Sequence, residues 1–444
     1  MVRTSRWRLG RWLCVLVAAV SVLSGCDWTM FRYGPARTGF DPTESTIGIA
    51  NVANLQQKWA GGTRVFDGIL TAPTVANGVV YQVSNFTLYA FQAGAGNATN
   101  CSGLPRFCKP LWTAAAGGFI DSSPAVVNGI AYVNSTDGNL YAFDATGRTK
   151  CSGTPKTCAP LWTAATGGFG SSPLVAGGIV YVGSGDSLYA LDAAGVVNCS
   201  GTPKICTPLW SAATGGQVLS SPAVVNGLVY VGSGDGKLYA FDATGSTHCS
   251  GSPRKCTPVW TAATGAMIST QAPAIANGVV YISSFDNKLY AFDAAGTTHC
   301  SGAPKTCTPL WTATTAGTGA SAAVAKGVVY VFVELPAEVL YAFDAAGSTH
   351  CSGVPKTCTP LWTASPGGSE GGFRPPAVAN GVVYVSGGQD LLGFDAAGSV
   401  NCSGTPRVCA PLWTAPRDGF GPVVANGMVY LGSADGNLYA FGLP

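Results

Sequence analysis

The stretch Gly227-Leu-Val-Tyr-Val-Gly-Ser-Gly-Asp-Gly-Lys-Leu-Tyr-Ala-Phe-Asp-Ala243 decides the fold. It continues through Cys249-Ser-Gly-Ser-Pro-Arg-Lys-Cys256 to Thr257-Pro-Val-Trp260. Two apolar runs, Leu228–Val231 and Leu238–Phe241, flank a Gly-Asp-Gly turn, and Asn226-Gly227 opens the unit. Asn-Gly supplies the two positive φ angles of a type I′ hairpin. The same turn position recurs as Asn77-Gly78, Asn128-Gly129, Gly177-Gly178, Asn277-Gly278, Lys326-Gly327, Asn380-Gly381 and Asn426-Gly427. The closing tryptophans are Trp59, Trp112, Trp162, Trp210, Trp260, Trp311, Trp362 and Trp413, spaced by 53, 50, 48, 50, 51, 51 and 51 residues. A fixed period of this size is the mark of a repeat architecture.

Each unit reads as four short antiparallel strands: a small-residue strand such as Ser221-Pro-Ala-Val-Val225, the two apolar runs, and the strand carrying the tryptophan. Four such strands make one propeller blade. Eight three-strand sets are present, the last at 421–441, but only seven tryptophan strands follow one. The eighth, around Trp59, precedes the first set and is expected to complete the last blade. The expected fold is therefore all-β, an eight-bladed propeller closed by the N-terminal strand, which leaves no exposed sheet edges.

Composition agrees. Of the 444 residues 60 are glycine and only 10% are charged, and the net charge of +3 includes Arg3, Arg6, Arg8 and Arg11 of the N-terminal segment. Without that segment the chain is near neutral, which gives no support to nucleic-acid binding. The basic run is followed by the apolar stretch Leu13–Leu23, too short to span a bilayer. Leu23-Ser24-Gly25-Cys26 resembles a bacterial lipobox. That resemblance implies a signal peptide over 1–25, cleavage before Cys26, and a lipid on its sulfur holding the protein at the cell membrane or in the periplasm. Asp27 at the next position favours retention at the inner membrane in some organisms. Residues 26–58 are expected to hold the anchor and an irregular lead-in wrapping the body, with the propeller over 59–444.

Fourteen cysteines form seven Cys-x6-Cys pairs: Cys101/Cys108, Cys151/Cys158, Cys199/Cys206, Cys249/Cys256, Cys300/Cys307, Cys351/Cys358 and Cys402/Cys409. Outside the cytoplasm an even set in matching loops reads as disulfides. Each closes a small loop and contributes about 2–3 kcal/mol. The only histidines, His248, His299 and His350, each precede a first cysteine, but Asn100, Lys150, Asn198 and Asn401 hold that place in the other loops. A metal site is not expected. Each loop also carries a cation: Arg106, Lys156, Lys204, Arg254, Lys305, Lys356 or Arg407. These form a ring on one face, read as a solvated rim in preference to a docking surface for an acidic partner or anionic head groups.

Leu-Tyr-Ala-Phe-Asp-Ala-x-x-Gly followed by Leu-Trp resembles the tryptophan-docking repeat of the pyrroloquinoline quinone (PQQ)-like propellers. The lead-in Trp28…Arg37-Thr38-Gly39…Asn51-Val52…Leu55…Trp59 is similar to the N-terminal pattern of that superfamily. The resemblance covers about residues 28–444. It implies the fold but leaves function open, because the family holds quinoprotein dehydrogenases and a non-catalytic, BamB-like branch of extracytoplasmic lipoproteins. The enzymes stack the quinone between a tryptophan and a disulfide of adjacent cysteines, bind calcium through Glu, Asn and Asp, and use an aspartate base. This sequence has no Cys-Cys dipeptide and no tryptophan outside the repeat except Trp7, Trp12 and Trp28.

The aspartates repeated once per unit, Asp144, Asp192, Asp242, Asp293, Asp344 and Asp395, are assigned to turns, as are Asp137, Asp186, Asp235, Asp286 and Asp435. Residues that break the repeat are better binding candidates: Arg64, Asp67, Asp121, Glu370, Arg374, Arg417 and Asp418, with Gln217 and Met267, on the loops around the channel, and the insert Glu334–Glu338. The expectation is a non-catalytic, monomeric envelope scaffold without a cofactor, binding an envelope protein or a small ligand. The alternative is a PQQ- and calcium-dependent oxidoreductase, or a small-ligand receptor, using the central channel.

Overall fold

The computed structural model describes residues 27–63, 71–94, 100–319, 321–334, 336–367 and 374–444. Eight sheets stand in a ring. Blade 4 shows the plan: Ala223–Val225, Leu228–Gly232, Lys237–Asp242 and Trp260–Ala263 pair antiparallel from the channel outward. Both residues of its first turn have positive φ, Asn226 at 50° and Gly227 at 79°. Blade 8 is closed by the N-terminal strand, as the strand count requires. Gln56–Gly62 pairs antiparallel with Asn437–Gly442, placing Trp59 opposite Ala440.

Blades lock together through one carbonyl. Tyr181 and Trp210 of blade 3 donate their hydroxyl (2.8 Å) and indole N–H (3.2 Å) to the Ala243 carbonyl of blade 4. Gly245, at φ +65°, lies against the Trp210 ring, where an added Cβ would come within 2.3 Å of Cδ1. Asp242 fixes this turn by accepting the Thr244 and Thr247 amides. Asp144, Asp192, Asp293, Asp344 and Asp395 hold the equivalent turns. The other aspartate set holds second-to-third-strand turns, as where Asp235 accepts the Tyr239 hydroxyl and the Lys237 amide.

The cysteine loops are β-hairpins that leave their own blade. All seven disulfides are formed: Cys101–Cys108, Cys151–Cys158, Cys199–Cys206, Cys249–Cys256, Cys300–Cys307, Cys351–Cys358 and Cys402–Cys409. In each hairpin the second arm pairs in parallel with the tryptophan strand of the preceding blade, as Thr306–Cys307 does with Trp260–Ala263. Seven blades thereby gain two outer strands and become six-stranded sheets.

Each disulfide closes its own small loop as expected, and the hairpin also reaches the preceding blade. The first cysteine of each pair is half-buried, but the second, Cys108, Cys158, Cys206, Cys256, Cys307, Cys358 or Cys409, is buried. Each of these packs into an apolar core with the tryptophan of the preceding blade, as Cys108 does with Trp59, Cys206 with Trp162 and Cys358 with Trp311. The parallel pairing is the reason, because it turns the second sulfur inward beneath the hairpin. The disulfides thus belong to the contact between blades as well as to their loops.

The loop cations reach back to their own turns. Lys156, Lys204, Arg254 and Arg407 donate to the carbonyls of Gly147, Gly195, Gly245 and Gly398. In six of the seven hairpins the residue before the first cysteine has left-handed φ, whether Lys150, Asn198, His248, His299, His350 or Asn401. His299 and His350 hold Nδ1 near the Pro309 and Pro360 carbonyls, the contact that Lys150 and Asn198 make elsewhere. That is a shared structural role, and among the described residues no cluster of metal-ligating side chains occurs.

The first part of the lead-in does not wrap the body, whereas residues 44–55 pack against blades 7 and 8. Residues 28–41 run through the channel, because the innermost strands present unpaired amides that a buried chain must satisfy. The carbonyls of Trp28, Thr29, Pro35, Ala36, Thr38 and Gly39 accept the amides of Val75, Val126, Val224, Ile275, Val324 and Val378. These amides belong to blades 1, 2, 4, 5, 6 and 7 in turn. Arg37 is fully buried and bridges blades 3 and 4, donating to the Ser172, Pro173 and Pro222 carbonyls at 2.8–3.0 Å and to its own segment at Phe31. Arg32 donates to Ser321 and Ala322 of blade 6. Burial lowers both guanidinium pKa values to about 9, so both stay charged at neutral pH.

Arg37→Ala should lower unfolding free energy by at least about 3 kcal/mol, since it strands carbonyls buried in the channel. Denaturant unfolding measures this, and an unchanged midpoint would show that the channel segment contributes nothing. Acid provides a second test. Burial alone would raise Asp144 and Asp344, but the hydrogen bonds they accept outweigh it and hold both at about 2. Carboxylates depressed below the unfolded value of about 3.9 stabilise the fold above that pH and lose the contribution as pH falls toward 2. The thermal midpoint should be level from neutrality to about pH 5 and then drop between about pH 4 and 2, less steeply in Asp144→Asn.

Candidate functional site

The two ends of the ring differ. The Asn-Gly turns and cysteine hairpins form one face; the second-to-third-strand turns and the connections between blades form the other. At the second face the channel opens as a funnel of about 540 Å3 whose floor is Phe31 of the lead-in. Its wall is built from the residues just ahead of each innermost strand, where the sequence repeats Ser-Ser-Pro: Ser123, Ser172 and Ser221. These serines chain the blades together. Ser172 accepts the Ser123 amide at 3.0 Å, Ser221 accepts the Ser172 amide at 3.1 Å, and Ser321 accepts the Ala272 amide at 2.7 Å. Phe420 and Phe169, the latter 66% exposed, add aromatic surface.

Of the sequence-predicted residues, Cys26, Arg64, Asp67 and Glu370 lie outside the described residues. Asp121 and Gln217 both line the funnel. The Asp121 carboxyl faces funnel water but is enclosed by the walls, and this desolvation pushes it up to about 6. Met267 is exposed on the same face. Arg374 and Asp418 form a 2.7 Å ion pair, with Arg374 buried and its guanidinium 5.5 Å from the Phe420 ring centroid. Glu334 of the blade 6 insert accepts the Arg374 amide, and Glu338 accepts the Gly388 amide. The insert thus braces blade 7.

Arg417 turns away from its neighbour Asp418. Its guanidinium lies 4.6 Å over Tyr439 and donates to Gln57 at 3.3 Å, on the outside of the ring. The candidates therefore divide among a funnel wall, a buried brace and an outer edge. Sequence reasoning missed Phe31, Phe169 and the serine girdle. The repeated Ser-Ser-Pro was the available signal for the last.

The funnel can hold a polar organic group between aromatic faces, hydroxyls and one carboxylate. The described lining does not by itself fit a quinone with calcium. Calcium takes six to eight oxygens, several of them carboxylate, whereas Asp121 is the one acidic residue lining the described funnel. Trp28, the channel tryptophan, is 2% exposed and packs edge-on against Tyr33. The disulfides are all in hairpins of the opposite face. The histidines are there too, so no imidazole reaches Asp121.

Residues 150–351 match a family model described as outer membrane protein assembly factor BamB. No curated protein matches the chain. Among solved structures, BamB from Moraxella catarrhalis is 16% identical with a TM-score of 0.58, covering 88% of this chain and 98% of its own. The quinohemoprotein alcohol dehydrogenase ADHIIG from Pseudomonas putida HK5 is 14% identical with a TM-score of 0.64, covering 94% of this chain and 80% of its own. The computationally designed Ika8 protein is 11% identical with a TM-score of 0.61, covering 87% and 100%. At such identities the likeness is one of fold, shared by enzymes and non-enzymes. The structure and these neighbours together establish an eight-bladed β-propeller, and the matched family model covers 150–351 of it.

Proposed function

We propose that the protein is a non-catalytic scaffold, anchored by lipid at Cys26 outside the cytoplasmic membrane, whose funnel face binds an envelope protein. The observation that carries this reading is the filled channel. Residues 28–41 occupy the axis, so the described funnel offers a shallow, aromatic, hydroxyl-rich surface with a single carboxylate among its described residues. The BamB-like match over 150–351 supports an envelope role.

The position of Asp27 gives the scaffold an orientation. Its carboxylate accepts the Asn77 amide at 2.9 Å and the Asn426 side-chain amide at 3.4 Å, both on the hairpin face. A lipid on the preceding residue directs that face to the bilayer and the funnel face away from it. The funnel's volume favours, as a second reading, a receptor for a small polar ligand.

A photo-crosslinking residue placed at Phe169, in the protein expressed in its own cell, should yield one discrete protein adduct. A crosslinker at exposed Val354 of the hairpin face should not. Quinone- and calcium-dependent dye reduction by the purified protein would instead make it an oxidoreductase.

A further inference from the structure

Blade 7 is the exception in the ring. Its sheet ends at Trp413–Ala415 and has five strands, the fifth being Phe40–Asp41 on the channel side. No described strand covers its outer edge. The cause is topological: a covering hairpin would connect the third and fourth strands of blade 8, and those strands, Asn437–Gly442 and Gln56–Gly62, come from opposite ends of the repeat array. The seven covered edges show what such a seat accepts. The amides of Thr163, Ser211, Thr261, Thr312 and Thr363 take the carbonyls of Lys204, Arg254, Lys305, Lys356 and Arg407. Thr414, at the same place in blade 7, is exposed where its counterparts are half-buried or buried.

In the covered blades a buried hairpin cysteine sits level with the third residue of the tryptophan strand, as Cys158 does with Ala114 and Cys307 with Ala262. The equivalent in blade 7 is Ala415, and beside it is a cavity of about 230 Å3 walled by Leu55, Trp413, Phe441 and Arg417. Arg417 has no carboxylate within ion-pair distance among the described residues. It lies two residues beyond Ala415, on the side where an added parallel strand would continue.

We propose that the Trp413–Ala415 edge is a strand-addition site for an extended segment of a partner protein. The segment runs parallel to the edge, with a small apolar residue opposite Ala415 and an aspartate or glutamate two positions later at Arg417. The proposal rests on the scaffold reading for the existence of a protein partner, but on a different surface from the funnel.

The probe is a synthetic peptide copying residues 400–411, closed by its Cys402–Cys409 disulfide and carrying Pro411→Glu. In the whole protein the hairpin's own seat is filled, so the free peptide reports on blade 7. Amide exchange at Thr414 should slow at least about tenfold at saturation, with Thr163 and Thr363 unchanged. Arg417→Gln, or a peptide keeping Pro411, should weaken binding at least about threefold, and Thr414→Pro should abolish it at an unchanged thermal midpoint.

No protection of Thr414 at millimolar peptide would overturn the proposal, as would binding indifferent to both Thr414→Pro and Arg417→Gln. Protection of Thr414 that appears without peptide as protein concentration rises would assign the edge to a second copy and also overturn it. Crosslinking from Phe169 stays unaffected by Thr414→Pro, so a failed peptide experiment leaves the funnel reading standing.

Discussion

The ring depends on a tyrosine and a tryptophan of one blade sharing a backbone carbonyl of the next. Ala93, Ala243, Ala294, Ala345 and Ala396 each receive both donors. The carbonyl is presented by a turn, held by an aspartate except at Ala93 where Gln92 takes that place, that exists only where the chain passes from the third strand of a blade to the fourth. Blade 8 has no such passage. At the blade 7–8 contact Trp413 donates to Leu55 from the lead-in, and the buried Tyr384 hydroxyl has no hydrogen-bond partner among the described residues. A buried hydroxyl left unsatisfied costs about 1–3 kcal/mol. Closing the ring with the two ends of the array thus leaves the blade 7–8 contact without the shared carbonyl and exposes one edge.

That constraint explains why the N-terminal segment contributes so much. Before it forms the fourth strand of blade 8 it fills the channel, and Val52 and Leu55 pack with Trp413 in place of the missing turn. The same 35 or so residues between Trp28 and Gly62 join inner edges, seam and outer strand. Inner amides that would face an open channel are paired to a single strand whose two arginines have carbonyl oxygens, and no carboxylate, as partners among the described residues. Arginine suits this position because its planar fork addresses several carbonyls at once and remains charged when buried.

Much of this was legible in the sequence. The tryptophan period, the Asn-Gly turns and the surplus strand at Trp59 determine an eight-bladed closed ring, and the identical aspartates read correctly as turn residues. The cysteine hairpins were legible only as closed loops. Cys-x6-Cys names the partners of the sulfurs but is silent about which edge the backbone joins, and so about the burial of Cys108, Cys206 and Cys358 against the preceding blade. The lead-in has no period, so nothing in it distinguishes a segment outside the body from one threading its axis. Candidate residues chosen because they break the repeat fell into unlike places for the same reason. Arg374 and Asp418 are a buried brace, whereas Arg417, next in sequence to Asp418, marks the open edge. A loop's composition shows that it departs from the repeat, and only the fold shows which way its side chains point.

The account makes the propeller a holder of other molecules, and native mass spectrometry of the protein gently purified from its own membrane tests this most directly. The account predicts a lipid-modified mature chain, two hydrogens short for each of its seven disulfides, in complex with a second polypeptide. A retained mass matching a quinone together with a divalent ion would contradict it.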